Sequence, residues 1–163
     1  MKCLNCDNDA RKESGLCSEC EEKEQQKING ILYLPALGII LSVIMTPFSL
    51  YDIINAMLIH FKNTGFLSYY ALALVCFLLA MFALEIFAAM SFFRRKKRTR
   101  NVMVAYYLVS ALLVGYMTLL PAYLFDAKLD TGDIRAIASS VFGIVVWIPY
   151  FMLSKRIPVV FSR

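Results

Sequence analysis

Residues 67–100 read LSYYALALVCFLLAMFALEIFAAMSFFRRKKRTR. Residues 67–93 carry a single charged side chain, Glu85, and run directly into a segment with six Lys or Arg among seven residues. An α-helix over the apolar part is roughly 40 Å long at about 1.5 Å per residue, enough for the ~30 Å of hydrocarbon in a bilayer. The cations that follow cannot enter hydrocarbon cheaply, so they mark the end of the span and its side of the membrane.

Three more apolar stretches flank this one, at about 30–51, 102–125 and 134–153. With 67–93 they make four segments of the length a spanning helix needs, since only a helix satisfies its own backbone groups where there is no water. The composition agrees. Of the 163 residues, 60% are apolar and 18% charged, against roughly 45–50% and about 25% in soluble domains. A chain this short cannot bury that excess, because small domains hide only ~70% of the surface of the unfolded chain. A soluble monomer is excluded. The expected fold is an all-α membrane protein: four transmembrane helices (30–163) preceded by a small zinc ribbon (1–22) and a charged linker (23–29). Pro35 and Pro47 predict a kink or break in the first span, with an interfacial helical turn over 48–60.

Charge is segregated. Residues 1–29 hold five basic and seven acidic groups, a local net of −2; the remainder holds twelve and five, a net of +7. The overall +5 is therefore largely a matter of topology. Arg94, Arg95, Lys96, Lys97, Arg98 and Arg100 abut two spans, where they act as a topology determinant and attract anionic lipid at ~1 kcal/mol each. With an even number of spans, both termini lie on the side of this run, giving fourteen basic residues there against Lys62, Lys128 and Arg135 opposite. The positive-inside rule makes that side the cytoplasm. Tyr51, Tyr69, Tyr70 and Tyr123 fall at outer ends and Tyr33, Tyr106, Tyr107, Tyr150 and Trp147 at inner ends, as interfacial aromatics do; only Tyr116 sits deep. The first 29 residues do not resemble a basic-then-apolar secretory leader.

Cys3-Leu4-Asn5-Cys6 and Cys17-Ser18-Glu19-Cys20 form two CxxC knuckles separated by ten residues. Two such knuckles supply the four thiolates of a closed tetrahedral zinc site. Two disulfides are disfavoured in the cytoplasm. A redox dithiol normally lies at a helix start after a strand, a context this segment does not suggest. With no His or Glu to leave an open position, the site reads as structural zinc, and the metal supplies the folding free energy of a segment with almost no apolar side chains. Its acidic, polar surface points to docking of a cytoplasmic or membrane protein partner.

Within the spans Glu85 is a candidate polar site. It lies nine residues before Arg94, roughly 13 Å deep, where an ionised carboxylate costs about 2.5–3.5 kcal/mol or more to insert. It must face protein or water. One reading is a proton- or cation-coupled site; the other is a packing hydrogen bond to Ser110, Tyr116, Thr118 or Ser139. Small residues at Ala111, Gly115, Thr118 and Ala122, and at Ala136, Ser139, Ser140 and Gly143, mark expected helix seams, including those of a homo-oligomer. Arg135 is placed to pair with Asp126 or Asp133. No catalytic triad, paired carboxylate or phosphate-cradling glycine loop can be assembled, so neither an enzyme nor a nucleic-acid partner is expected.

Trp147, Ile148-Pro149-Tyr150-Phe151, Ser154-Lys155-Arg156 and Phe161, with Arg135 opening the span, resemble the ending of the YdgK-like family of bacterial inner-membrane proteins of unknown function. Tyr33-Leu34-Pro35-Ala36-Leu37-Gly38 resembles that family's first span. The resemblance covers roughly residues 30–163. It implies a four-span inner-membrane protein without assigned activity, to which the cysteine module is an addition.

Overall fold

A computed structural model describes residues 2–6, 8–10, 14–25, 28 and 30–162. The elements are α1 (Ser18–Gln25), α2 (Tyr33–Thr64, entered by a 3₁₀ turn Gly30–Leu32), α3 (Tyr69–Phe93), α4 (Thr99–Phe125), α5 (Thr131–Phe142), a π-helical segment Gly143–Trp147, α6 (Ile148–Leu153) and α7 (Arg156–Val160). Four helices are long and apolar enough to cross a membrane, the fourth formed by α5, the π segment and α6 together. The chain is an all-α, multi-pass membrane protein.

The expected break in the first span is absent. α2 continues through Pro47 and the whole of 48–60. Pro35 lies in the first turn, where its missing N–H has no helical acceptor anyway, and Pro47 leaves only the Val43 carbonyl without its usual donor. At 32 residues the helix is about 48 Å long, well beyond one bilayer core. Of the predicted linker, Lys23, Glu24 and Gln25 belong to α1, while Gln26, Lys27 and Asn29 lie outside the described residues, as do Asp7, Arg11, Lys12, Glu13 and Arg163 of the charge tally.

The spans pack mainly in chain order, α2 on α3, α3 on α4, and α4 on the fourth span. α3 shows why. Leu74, Leu78, Met81, Glu85, Ala88 and Phe92 are buried at three- and four-residue intervals, one stripe of a helix, while Leu72, Leu79, Ile86 and Met90 face outward. Burial concentrates at one end. Leu32, Ala36, Ile39, Phe92, Met103, Trp147, Phe151, Ile157, Val160 and Phe161 form the core, so the short α7 closes the end of the bundle that carries the basic run. α1 approaches α7 there.

The turn between α3 and α4 is a Schellman motif: the Lys96 amide donates to the Ser91 carbonyl (3.0 Å) and the Arg95 amide to the Phe92 carbonyl (3.1 Å). Arg95 occupies the left-handed position, φ 52°, where glycine is usual. Thr99 then donates its hydroxyl to the same Ser91 carbonyl at 2.7 Å. Arg98 lies 4.6 Å above the Phe87 ring, a cation–π contact that anchors the basic turn to α3. At the opposite end Asp130 and Asp133 cap α5 reciprocally. Asp133 therefore serves the helix terminus rather than the predicted pair with Arg135.

The small-residue seams are realised unequally. Gly143 meets Tyr107 so closely that an added Cβ would lie 3.1 Å from the Tyr107 ring, whereas an added Cβ at Gly115 would meet nothing within 4 Å. Ala111 and Gly115 instead line an open apolar groove with Phe77, Leu119 and Tyr123.

Candidate metal centre and intramembrane polar site

The four cysteines of the knuckles come together. Their sulfurs all lie within 4.8 Å of one another, with Cys6 to Cys17 at 3.4 Å and Cys6 to Cys20 at 3.7 Å. A tetrahedron with arms of ~2.3 Å has edges of roughly 3.8 Å, so the donor set fits a metal ion of that geometry. All four are free thiols, Cys3 and Cys17 buried and Cys6 and Cys20 half-buried.

Local backbone builds this arrangement. An isolated antiparallel bridge between Lys2 and Asp9 closes the first knuckle, and the Cys3 amide donates to the Asn8 carbonyl at 2.9 Å. The second knuckle opens α1, with the Glu21 amide on the Cys17 carbonyl. The pair Cys17–Cys20 thus does sit at a helix start, contrary to the sequence expectation, though no strand precedes it among the described residues. The Cys17 amide donates to Cys3 Sγ at 3.3 Å, tying one knuckle to the other.

Crowding makes the four thiols unequal. The Asn5 and Cys17 amides hold Cys3 down at about 6, and the Cys20 amide followed by the Cys6 thiol lowers Cys17. The Asn8 amide pulls Cys6 down, but hydrogen bonding with Cys17 and burial outweigh it and its value is raised. Hydrogen bonds with Cys17 and Cys6 push Cys20 up to about 12. Four sulfurs this close cannot all ionise without a cation among them. Amide donors aimed at the sulfurs are the second shell that orients metal thiolates.

Glu85 is 3% exposed. Its partner is not on the third or fourth span: Thr46 of α2 donates to Glu85 Oε1 at 3.0 Å. The other carboxyl oxygen, Oε2, is buried and has no hydrogen-bond partner. The stripe that carries Glu85 turns toward α2 at this level. Ser42, one turn before Thr46, faces the same carboxyl and accepts from Tyr106 of α4 at 3.2 Å. Tyr106 is consequently a core residue rather than an interfacial anchor. Two hydroxyl residues four apart in the otherwise apolar first half of α2 were the signal in the sequence for this partnership.

Tyr106 also borders a cavity of about 410 Å³ lined by spans one, three and four. Gly38, Tyr107, Ser110, Ser139 and Trp147 contribute to its wall. Ser110 and Ser139, expected beside Glu85, thus line this space. The basic residues Arg94 to Arg98 and Arg100 stay at the bundle end, and Lys97 and Arg100 flank a second pocket against α7.

No curated protein and no solved structure matches the chain. A family model matches residues 25–162, the whole four-span body, and leaves the cysteine knuckles ahead of it. On that match the chain belongs to DUF2569, a family of proteins of unknown function.

Proposed function

We propose that the chain is a non-enzymatic membrane scaffold or regulatory subunit whose amino-terminal module holds structural zinc and docks a cytoplasmic or membrane protein partner. The observation that carries this reading is the closed set of four sulfurs within 4.8 Å, with only thiols as donors and hence no open coordination position for chemistry. The approach of α1 to α7 supports a module seated on the bundle end, in position to pass a docking event to the spans. The charge asymmetry supports an inner-membrane location with both termini cytoplasmic. The motifs at 33–38 and 147–161 that resemble the YdgK-like proteins lie inside the matched residues.

Pairing of Thr46 with Glu85 supports a membrane register for α2. If Glu85 lies roughly 13 Å deep, the inner boundary on α2 falls near Leu37 and the outer one about twenty residues later. The first turn of the helix then projects into the cytoplasm beside α7.

The test is metal analysis of the purified chain, followed by crosslinking capture with the C3S/C17S variant. Stoichiometric zinc and loss of a defined partner in the variant are expected; zinc-free protein, or unchanged capture, overturns the reading. A second reading, a small oligomeric proton- or cation-coupled transporter, draws on the unpartnered Oε2 of Glu85. It requires that Glu85→Gln abolish a proton-coupled flux in liposomes while the protein still folds.

A further inference from the structure

The pocket of about 430 Å³ at the basic end of the bundle is lined by Lys97, Arg100, Asn101, Ile157, Pro158, Phe161 and Ser162. Its two walls differ in chemistry. One carries the Lys97 and Arg100 cations and the Asn101 amide; the other is the apolar face of α7 and the residues after it, with Ile157 and Phe161 almost wholly buried as its floor. Among the described residues, no acidic side chain lines it.

The pocket also lies at the amino end of α4, which begins at Thr99 and has no side-chain cap. The N-cap position of α4 is Arg98, and Thr99, the first helical residue, gives its hydroxyl to the Ser91 carbonyl and its amide to the Lys96 carbonyl at 2.9 Å. A helix start without a side-chain cap presents the remaining backbone N–H groups of its first turn and the positive end of the helix dipole. Together with two flanking cations this is the chemistry that holds a phosphate group.

We propose that this pocket binds the phosphate of an anionic phospholipid headgroup, with the glycerol and first acyl carbons against Pro158, above the floor of Ile157 and Phe161. Two observations favour a lipid over free phosphate: the apolar wall, which inorganic phosphate cannot use, and the position at the ends of two spans, where a headgroup arrives from the adjoining leaflet. Basic pockets at this level between transmembrane helices are suited to such headgroups. The inference rests on the membrane reading of the helices and not on the docking role of the metal module.

The test uses the full chain in nanodiscs of phosphatidylcholine with a minor fraction of phosphatidylglycerol. Lipids retained after transfer to detergent are then counted by native mass spectrometry. Phosphatidylglycerol is expected to be enriched on the protein, and K97Q/R100Q to lower that enrichment at least fivefold. R94Q/K96Q, which removes the same charge outside the pocket, is expected to change it less than twofold. The single changes K97Q and R100Q each give part of the loss, and K97R/R100K restores it, so the result does not depend on one variant folding. Equal losses in both doubles would show diffuse surface attraction and overturn the site. Displacement of the lipid by millimolar inorganic phosphate would overturn the lipid assignment and leave a simple anion site. Zinc content is measured on the same samples, so failure of this proposal is separable from failure of the scaffold reading.

Discussion

Tyr70 and Tyr116 hold each other reciprocally across the second and third spans. The Tyr70 hydroxyl donates to the Tyr116 carbonyl at 3.0 Å, and the Tyr116 hydroxyl to the Tyr70 carbonyl at 3.2 Å. Between these bonds the two rings stack, 4.9 Å apart and 7° from parallel. Away from the packed core, this clasp joins α3 to α4 where few side chains are fully buried.

Tyr70→Phe removes one bond and keeps the stack, so a loss of about 1 kcal/mol is expected. Tyr70→Ala removes both and should cost about 2–3 kcal/mol. Reversible unfolding in mixed micelles measures the difference; equal losses would mean that the rings do not support each other.

Arg95 in the left-handed conformation gives a prediction of opposite sign. Arg95→Gly should stabilise the protein by about 0.5–1 kcal/mol, because the strain of a side chain at positive φ disappears. Arg94, at φ −81°, serves as control: Arg94→Gly loses the same charge without relief. A melting temperature that fell equally in both would discredit the turn geometry.

Metal uptake should release protons. In the metal-free cluster Cys3 ionises near 6, whereas Cys6 is raised and Cys20 is pushed up to about 12. At pH 7 at least Cys6 and Cys20 therefore still carry protons, which an incoming ion must displace. Apparent zinc affinity then rises with pH, by about two or more orders of magnitude per pH unit near neutrality, and falls further as Cys3 is protonated below 6. Competition with a chromophoric chelator across pH 6–8 reads this slope. A flat profile would show that the four thiols do not act as one site.

The two glycines at opposite extremes of packing make a matched pair. Gly143→Ala pushes a methyl toward the Tyr107 ring and should cost about 1–2 kcal/mol. Gly115→Ala enters open space and should be neutral or stabilising by up to about 1 kcal/mol, through reduced backbone entropy. Thermal unfolding of both variants decides the matter, and a reversed order would refute the assignment of Gly143 to a helix seam.

The four spans were legible because hydrocarbon imposes one requirement, length of apolar helix, that composition alone reports. The cysteine site was legible for a similar reason: the spacing of Cys3, Cys6, Cys17 and Cys20 is itself the geometric constraint. Pairing between helices was not. Glu85 has hydroxyl residues on all the other spans within plausible reach, and only the facing of its stripe selects Thr46 over Ser110 or Ser139. Nor could proline content reveal that α2 continues, since one lost hydrogen bond in a 32-residue helix is a local cost that neighbouring packing offsets. The seam at Gly143 and the open groove at Gly115 look alike in sequence because small residues permit close approach without enforcing it.

The π-helical segment Gly143–Trp147 governs where the end of the chain points. A π turn takes up about one residue more than an α turn, and one residue corresponds to roughly 100° of rotation about an α-helix. The π turn absorbs that residue, so Phe151 and α7 keep the facing that places them in one core with Phe92 and Leu32. Deleting one residue there would let the helix relax to regular winding with the aim of the tail kept, whereas winding all the present residues as α-helix would swing the tail by roughly 100°. The headgroup pocket and the seat of α1 would be lost together, with every side chain that forms them still present. The aim of the carboxyl-terminal tail is thus encoded in how one turn of the fourth span is wound rather than in the identities of the residues beyond it.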